Sequence, residues 1–296
     1  MNTNLKAHLG LLGTNLFFAI NLSAVKYLTG NNLMQPFGMN VIRVGVSAIL
    51  FWLLFLFSKR QQKIDKADWP RLVWCALTGI AINQMLFLKG LSLTYSIHAV
   101  LLMLTTPILI TIIAAWLLKE RINFLKVAGL ALGITGAVVL IAHGASTGSG
   151  SNVLLGDTLV LINAVSYTFY FILVKPLMLK YNPVQVIRWV FTLGLPMVLP
   201  FGWHEFTAIN WSAFNGTAYA CISLIVFTGT FLGYLFNVYG IKVLGASVAG
   251  AYIYLQPLFA AIISMIFLKE QLELYKIIAA VLIFAGVYLA NRPVKN

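Results

Sequence analysis

The sequence predicts an all-α integral membrane protein: ten transmembrane helices arranged as two inverted five-helix repeats. Three observations carry this expectation. The 296 residues are 60% hydrophobic and only 9% charged, with a mean hydropathy of +0.91, whereas soluble domains carry roughly a quarter charged residues. So little charge does not cover a soluble surface. The apolar residues also fall in blocks of about twenty, the helix length that spans a hydrocarbon core of about 30 Å. Finally, the stretch Gly90–Ala142 occurs twice, at a constant offset of 150 residues.

In chain order the blocks cover residues 5–28, 36–57, 70–89, 93–118, 123–142, 153–175, 183–201, 213–238, 245–268 and 273–291, each bounded by Gly, Pro, Asn or charge. Barrel strands would be about ten residues of alternating polarity. Continuous apolar blocks read instead as helices, which satisfy their own backbone groups in lipid. Within the first block an apolar run from Leu9 follows Lys6, as in a signal peptide. It is interrupted by Asn15, Asn21 and Lys26 and no Ala-x-Ala-like site follows, so it reads as the first span. The Gly/Ser-rich run His143–Asn152 has the composition of a flexible linker. It divides the chain into five-helix halves, residues 1–147 and 148–296.

Between the two copies Gly90/Gly240, Ala99/Ala249, Pro107/Pro257, Lys119-Glu120/Lys269-Glu270 and Gly136/Gly286 align without a gap. These include the only Pro and the only Lys-Glu pair of each copy, which chance similarity between apolar segments does not align. A fixed period marks a duplication. Earlier spans match at shifted offsets, with Lys26 against Lys175 and Val41-Ile42-Arg43 against Val186-Ile187-Arg188. Basic residues orient membrane proteins. With the N-terminus inside, fifteen Lys and Arg fall inside and five outside (Lys26, Arg43, Lys89, Lys269 and Lys276). The expectation is a multi-pass plasma-membrane protein with both termini cytoplasmic. Five spans is an odd number, so the second copy enters the membrane upside down. Many secondary transporters are built this way, with the substrate between the halves near the midplane.

Lys89-Gly90-Leu91-x-x-Thr94-x-Ser96-x-x-Ala99, Thr106-Pro107, Leu118-Lys119-Glu120-Arg121 and the spacing Gly129 to Gly136, together with Gly240, Ala246, Pro257, Leu268-Lys269-Glu270 and Gly286, resemble the EamA-type repeat of the drug/metabolite transporter superfamily. Lys26 and Arg43 stand where that repeat carries a lysine closing its first helix and an arginine in its second. The resemblance covers essentially the whole chain as two copies. It implies a ten-helix inverted-repeat carrier that moves small metabolites, often amino acids or related solutes, by alternating access. The second copy departs from it in having Leu244-Gly245-Ala246 where the first has Thr94-Tyr95-Ser96, so the halves are expected to contribute unequally.

Several residues are candidates for the solute cavity. Lys26 and Lys175 close their helices, where a cation either complements the helix dipole and snorkels or flanks a solute path. Arg43 and Arg188 lie one to two turns inside their spans, while the seven carboxylates sit in loops or at span ends. A guanidinium at that depth faces a cavity or a lipid headgroup. Gln84, the stripe Asn163, Tyr167 and Tyr170 on one helix face, and Tyr252 with Gln256 complete the polar set; interhelical hydrogen bonding is the ordinary alternative for each. His98, in the fourth block, is either structural or a proton relay. Pro107 and Pro257, each after a polar residue inside a span, permit a bend that is either static or a gate.

The net charge of +13 sits mostly in short loops and so reports orientation rather than nucleic-acid binding. Cys75 and Cys221 lie in apolar segments and suggest neither a disulfide framework nor a metal site. His-Glu-x-x-His, Gly-x-Ser-x-Gly and phosphate-loop motifs are absent from the sequence, so an enzyme, a bound cofactor and an ATP-driven pump are not expected. Gly129-x-x-x-Gly133 and Gly229-x-x-x-Gly233 are close-packing signatures, within one chain or between two, which leaves monomer and homodimer open. The expected partners are membrane lipid and a small-molecule solute. The expected function is secondary transport, import or export, of an amino-acid-like or other small organic solute; a channel-like facilitator or a lipid-flipping protein is the alternative.

Overall fold

The computed structural model describes residues 3–57, 62–94, 99, 102–117, 119, 122–142, 152–267 and 274–290. His98, Tyr95-Ser96, Glu120-Arg121, Leu268-Lys269-Glu270 and the greater part of the Gly/Ser-rich linker lie outside them. All regular structure among the described residues is helical. We number the helices α1 (Thr3–Gly30), α2 (Pro36–Leu56), α3 (Lys66–Leu93), α4 (Thr106–Leu117), α5 (Phe124–Ala142), α6 (Val153–Lys180), α7 (Pro183–Thr207), α8 (Gly216–Leu244), α9 (residues 246–267) and α10 (Leu274–Ala290). Among the described residues α1, α2, α3, α6, α7 and α8 are long and apolar enough to cross a membrane, while α4 and parts of α5 and α10 form shorter apolar helices.

Local chemistry starts and stops these helices. The side chains of Asn152, Asn182 and Asn215 accept from Leu155, Val184 and Ala218 backbone N–H groups, capping the first turns of α6, α7 and α8. Helix α2 opens on Pro36, whose missing N–H costs nothing there. Its next two N–H groups, of Phe37 and Gly38, donate to Glu205 Oε2 at 2.6 and 2.9 Å. That places a carboxylate on the positive end of the helix dipole. Lys26 Nζ donates to the Leu91 and Thr94 carbonyls at 2.7 and 3.4 Å, so it closes α3 rather than its own helix. Gly245 alone joins α8 to α9 with φ of 88°, a conformation a Cβ would strain.

Helices at matching positions of the two copies pack on one another, α2 along α7 and α5 along α10. The remaining contacts are reciprocal: α1 lies on α8 as α6 lies on α3, and α1 on α9 as α6 on α4. Both matched pairs run antiparallel. Gly38, at the start of α2, abuts Glu205 and Phe206 at the end of α7, while Phe51 meets Phe191 with ring centroids 5.0 Å apart. A Cβ on Gly136 would lie 2.8 Å from the Ala279 carbonyl oxygen, and one on Gly286 would lie 2.6 Å from that of Gly129. The backbones of α5 and α10 therefore touch, which only small residues allow. Two halves related by a two-fold axis running across the helices have this arrangement. Both close-packing motifs are used inside the chain, Gly129/Gly133 against Gly286 and Gly229/Gly233 against Asn21 and Phe18.

Candidate functional site

Backbone irregularities bring polar groups to the centre of the bundle. Helices α3 and α8 each contain one π-helical turn, Leu77–Ile82 and Phe227–Leu232, again 150 residues apart. Each turn carries Thr-Gly at its second and third positions. A Cβ at Gly79 would enter the ring of Tyr170, and one at Gly229 the amide of Asn21; Tyr170 and Asn21 are themselves counterparts on α6 and α1. A π-turn breaks the i→i−4 ladder, a feature common at functional sites. The carbonyls near the first turn find other donors: Thr78 from Ser166, Gly79 from the Tyr234 hydroxyl at 3.0 Å, and Asn83 from Asn163 Nδ2 at 2.7 Å.

The fourth and ninth helical segments are broken at matching places. Leu104 and Thr105 form a turn before α4, and Tyr252–Tyr254 form a 3₁₀ turn within α9. Pro107 and Pro257 follow within three residues of these breaks. A proline offers no N–H to the carbonyl four residues back, so Met103 and Ile253 each lose an intrahelical donor.

These features surround one cavity of about 70 Å³. At about 10–15 Å³ per water it admits several waters or a small polar group. Its lining includes four pairs of counterparts: Phe18/Tyr167, Gln84/Tyr234, Met103/Ile253 and Thr106/Gln256. Gln84 Nε2 donates to its own counterpart, the Tyr234 hydroxyl, at 3.1 Å. The axis relating the halves therefore passes through the cavity. Arg43 also lines it, buried, with Nε donating at 3.0 Å to Thr230 Oγ1. That hydroxyl in turn donates at 2.8 Å to the Ile225 carbonyl, five residues back across the π-turn of α8. Gln256 Nε2 donates to Asn15 Oδ1 at 3.0 Å.

Of the residues singled out in the sequence, Arg43, Gln84, Asn163, Tyr167 and Gln256 line this cavity. Tyr170 lies one ring behind, fully buried and stacked on Tyr167 at 6.0 Å. Tyr252 shares a face with Gln256 only in a regular α-helix. The 3₁₀ turn advances about 120° rather than 100° per residue, and Tyr252 instead meets His8 Nδ1 at 2.5 Å beside a separate groove. Arg188, counterpart of Arg43, stacks on Trp52, Phe55 and Trp189 with its guanidinium carbon 4.2, 3.5 and 5.0 Å from the ring centres. Lys26 closes α3, as described, and Lys175 is half-buried near the end of α6; neither belongs to the lining. Pro107 and Pro257 are buried beside the cavity. Thr230 is no candidate in the sequence, while Tyr234, Asn83, Asn21 and Thr106 stand there as polar residues inside apolar blocks, for which interhelical hydrogen bonding is the ordinary reading. The signal lies in the duplicated Thr78-Gly79/Thr228-Gly229, upstream of the repeated stretch Gly90–Ala142.

A bundle of long apolar helices, assembled from two related halves around one polar cavity, has the construction of a membrane transporter. The EamA-like transporter family matches residues 5–142 and 154–292, and the chain belongs to that family. It is thus a multi-pass membrane transporter. An uncharacterized transporter of Archaeoglobus fulgidus is 26% identical over 97% of this chain and 98% of its own length. The uncharacterized transporter YyaM of Bacillus subtilis is 23% identical over 99% and 95%. A protein of Streptantibioticus cattleyicolor named a "probable terminal-alkyne amino-acid exporter" is 28% identical over 76% of this chain and 74% of its own. One crystal structure superposes with a TM-score of 0.74 at 19% identity, covering 95% of this chain and 94% of the other, a likeness of fold.

Proposed function

We propose that the protein is a secondary carrier. It moves a small organic solute, amino-acid-like or of similar size, through the central cavity by alternating access. Ten spans in two inverted halves, residues 1–147 and 148–296, form the moving parts. The observation that carries this reading is the set of counterpart pairs lining one cavity. A site on the axis between inverted halves presents related walls to both membrane faces, so rocking one half against the other exposes it alternately. The breaks before Pro107 and Pro257 supply matching flexing points, one per half. The Streptantibioticus protein's name supports an amino-acid-like solute, and export as a direction. Lys26 and Lys175 are read as helix-end cations outside the path.

Saturable counterflow tests this. Proteoliposomes loaded with unlabelled amino acids should accumulate a labelled one transiently above equilibrium, and Asn163→Ala or Gln84→Ala should reduce the rate. A channel-like facilitator gives no counterflow, and a lipid-flipping protein moves labelled lipid instead; either result would replace the carrier reading.

A further inference from the structure

The cavity is symmetric in its walls but lopsided in its charge. Arg43 and Arg188 are counterparts, yet only Arg43 faces the cavity. Arg188 is held against three aromatic rings. The Arg43 Nε is spent on Thr230, while its Nη1 is buried without a hydrogen-bond partner. No Asp or Glu lies in the lining among the described residues. An unused guanidinium donor in a desolvated site is costly, and its strongest complement is an oxyanion. Two acceptors on the same lining, Gln84 Oε1 and Asn21 Oδ1, are also buried and unpartnered. Phe18, Leu22 and Phe87 supply an apolar wall.

We propose that the cavity selects small organic carboxylates with an apolar body, the carboxylate docking on Arg43 Nη1. An ammonium group is accommodated by the amide oxygens of Gln84 and Asn21 but is not required, because neutral acceptors attract it less than a guanidinium attracts a carboxylate. Organic cations lacking a carboxylate are rejected: they would bring a second positive charge beside Arg43 with no anion to offset it. The inference rests on the reading of this cavity as the solute site.

The test uses three probes of one skeleton, 4-methylpentanoate, leucine and 3-methylbutylamine, binding to the purified full-length protein by calorimetry. The two carboxylates should bind at least about tenfold more tightly than the amine, a difference of roughly 1.4 kcal/mol. Arg43→Gln should level the three, whereas Arg188→Gln should leave the order intact. If Arg43→Gln does not fold, Arg43→Lys decides. It keeps the charge but loses the planar fork, and should weaken both carboxylates several-fold without changing the amine. Equal binding of the amine, binding of none of the three, or a preference indifferent to Arg43 overturns the proposal. Arg43-dependent carboxylate binding without leucine counterflow in proteoliposomes would instead uphold this site and defeat the carrier reading. Saturable counterflow without carboxylate preference would do the reverse.

Discussion

Gly79→Ala isolates the contact on which the cavity's rear wall depends. A Cβ at this position would lie 2.7 Å from Cγ and 2.8 Å from Cε2 of Tyr170. Carbon atoms rest in contact at about 3.5–4.0 Å, so the ring must withdraw by roughly 1 Å. It has nowhere to go. Tyr170 is fully buried, stacked on Tyr167 and with Phe171 and Tyr234 at 6.3 and 6.1 Å. Overpacking of this kind costs about 1–3 kcal/mol. The displaced ring pushes on Tyr167 and Tyr234, which line the cavity, so solute affinity should fall along with stability. Denaturant unfolding in detergent, followed by tryptophan fluorescence, measures the first effect and ligand binding the second. Gly216→Ala, where a Cβ meets nothing within 4 Å, is the control. Combining Gly79→Ala with Tyr170→Leu should recover about 1 kcal/mol or more of the loss expected by adding the single variants, as contacting residues do in such cycles. A Gly79→Ala protein as stable as the parent, or strict additivity with Tyr170→Leu, refutes the reasoning.

Three further outcomes follow from the same geometry. Glu205→Ala removes the acceptor for two N–H groups at the start of α2 and should cost about 1–2 kcal/mol in unfolding free energy. Glu205→Gln, which keeps an acceptor but not the charge, should recover part of that. Tyr234→Phe deletes the hydroxyl that donates to the Gly79 carbonyl and accepts from Gln84. It leaves buried partners unpaired at about 1–3 kcal/mol, and should weaken solute binding even where the protein remains folded at assay temperature. Pro107→Ala and Pro257→Ala each restore an N–H that the helix can use across its break. Both should slow turnover more than they weaken binding; unchanged transport rates in both variants would show the breaks to be static kinks.

Much of the architecture was legible because hydropathy and repetition are local properties of a chain. Twenty-residue apolar blocks become helices whatever their neighbours, since lipid leaves no other way to satisfy the backbone. A 150-residue period likewise survives in residue identities such as Pro107/Pro257. The site was less legible. Arg43 and Arg188 share the local sequence Val-Ile-Arg, and the Trp189 that follows Arg188, against Val44 after Arg43, does not by itself say which arginine faces the cavity. The environment does: Thr230 on one π-turn receives Arg43, while Trp52, Phe55 and Trp189 enclose Arg188. Tyr252 and Gln256 are neighbours on one face of a regular helix, and the 3₁₀ turn before Pro257 turns them apart.

The sequence by itself determined an EamA-like chain of two related copies, rich in apolar helices; an odd number of blocks per copy and a skewed distribution of basic residues add the expectation that the copies are opposed. Only the tertiary structure decided where the axis between those copies runs, because that depends on α2 meeting α7 and α5 meeting α10 across long separations in the chain. Where that axis passes, Gln84 bonds to Tyr234, its own counterpart, and the polar groups freed by two π-turns and two prolines converge. The same packing left one of two equivalent arginines facing the cavity with a donor to spare.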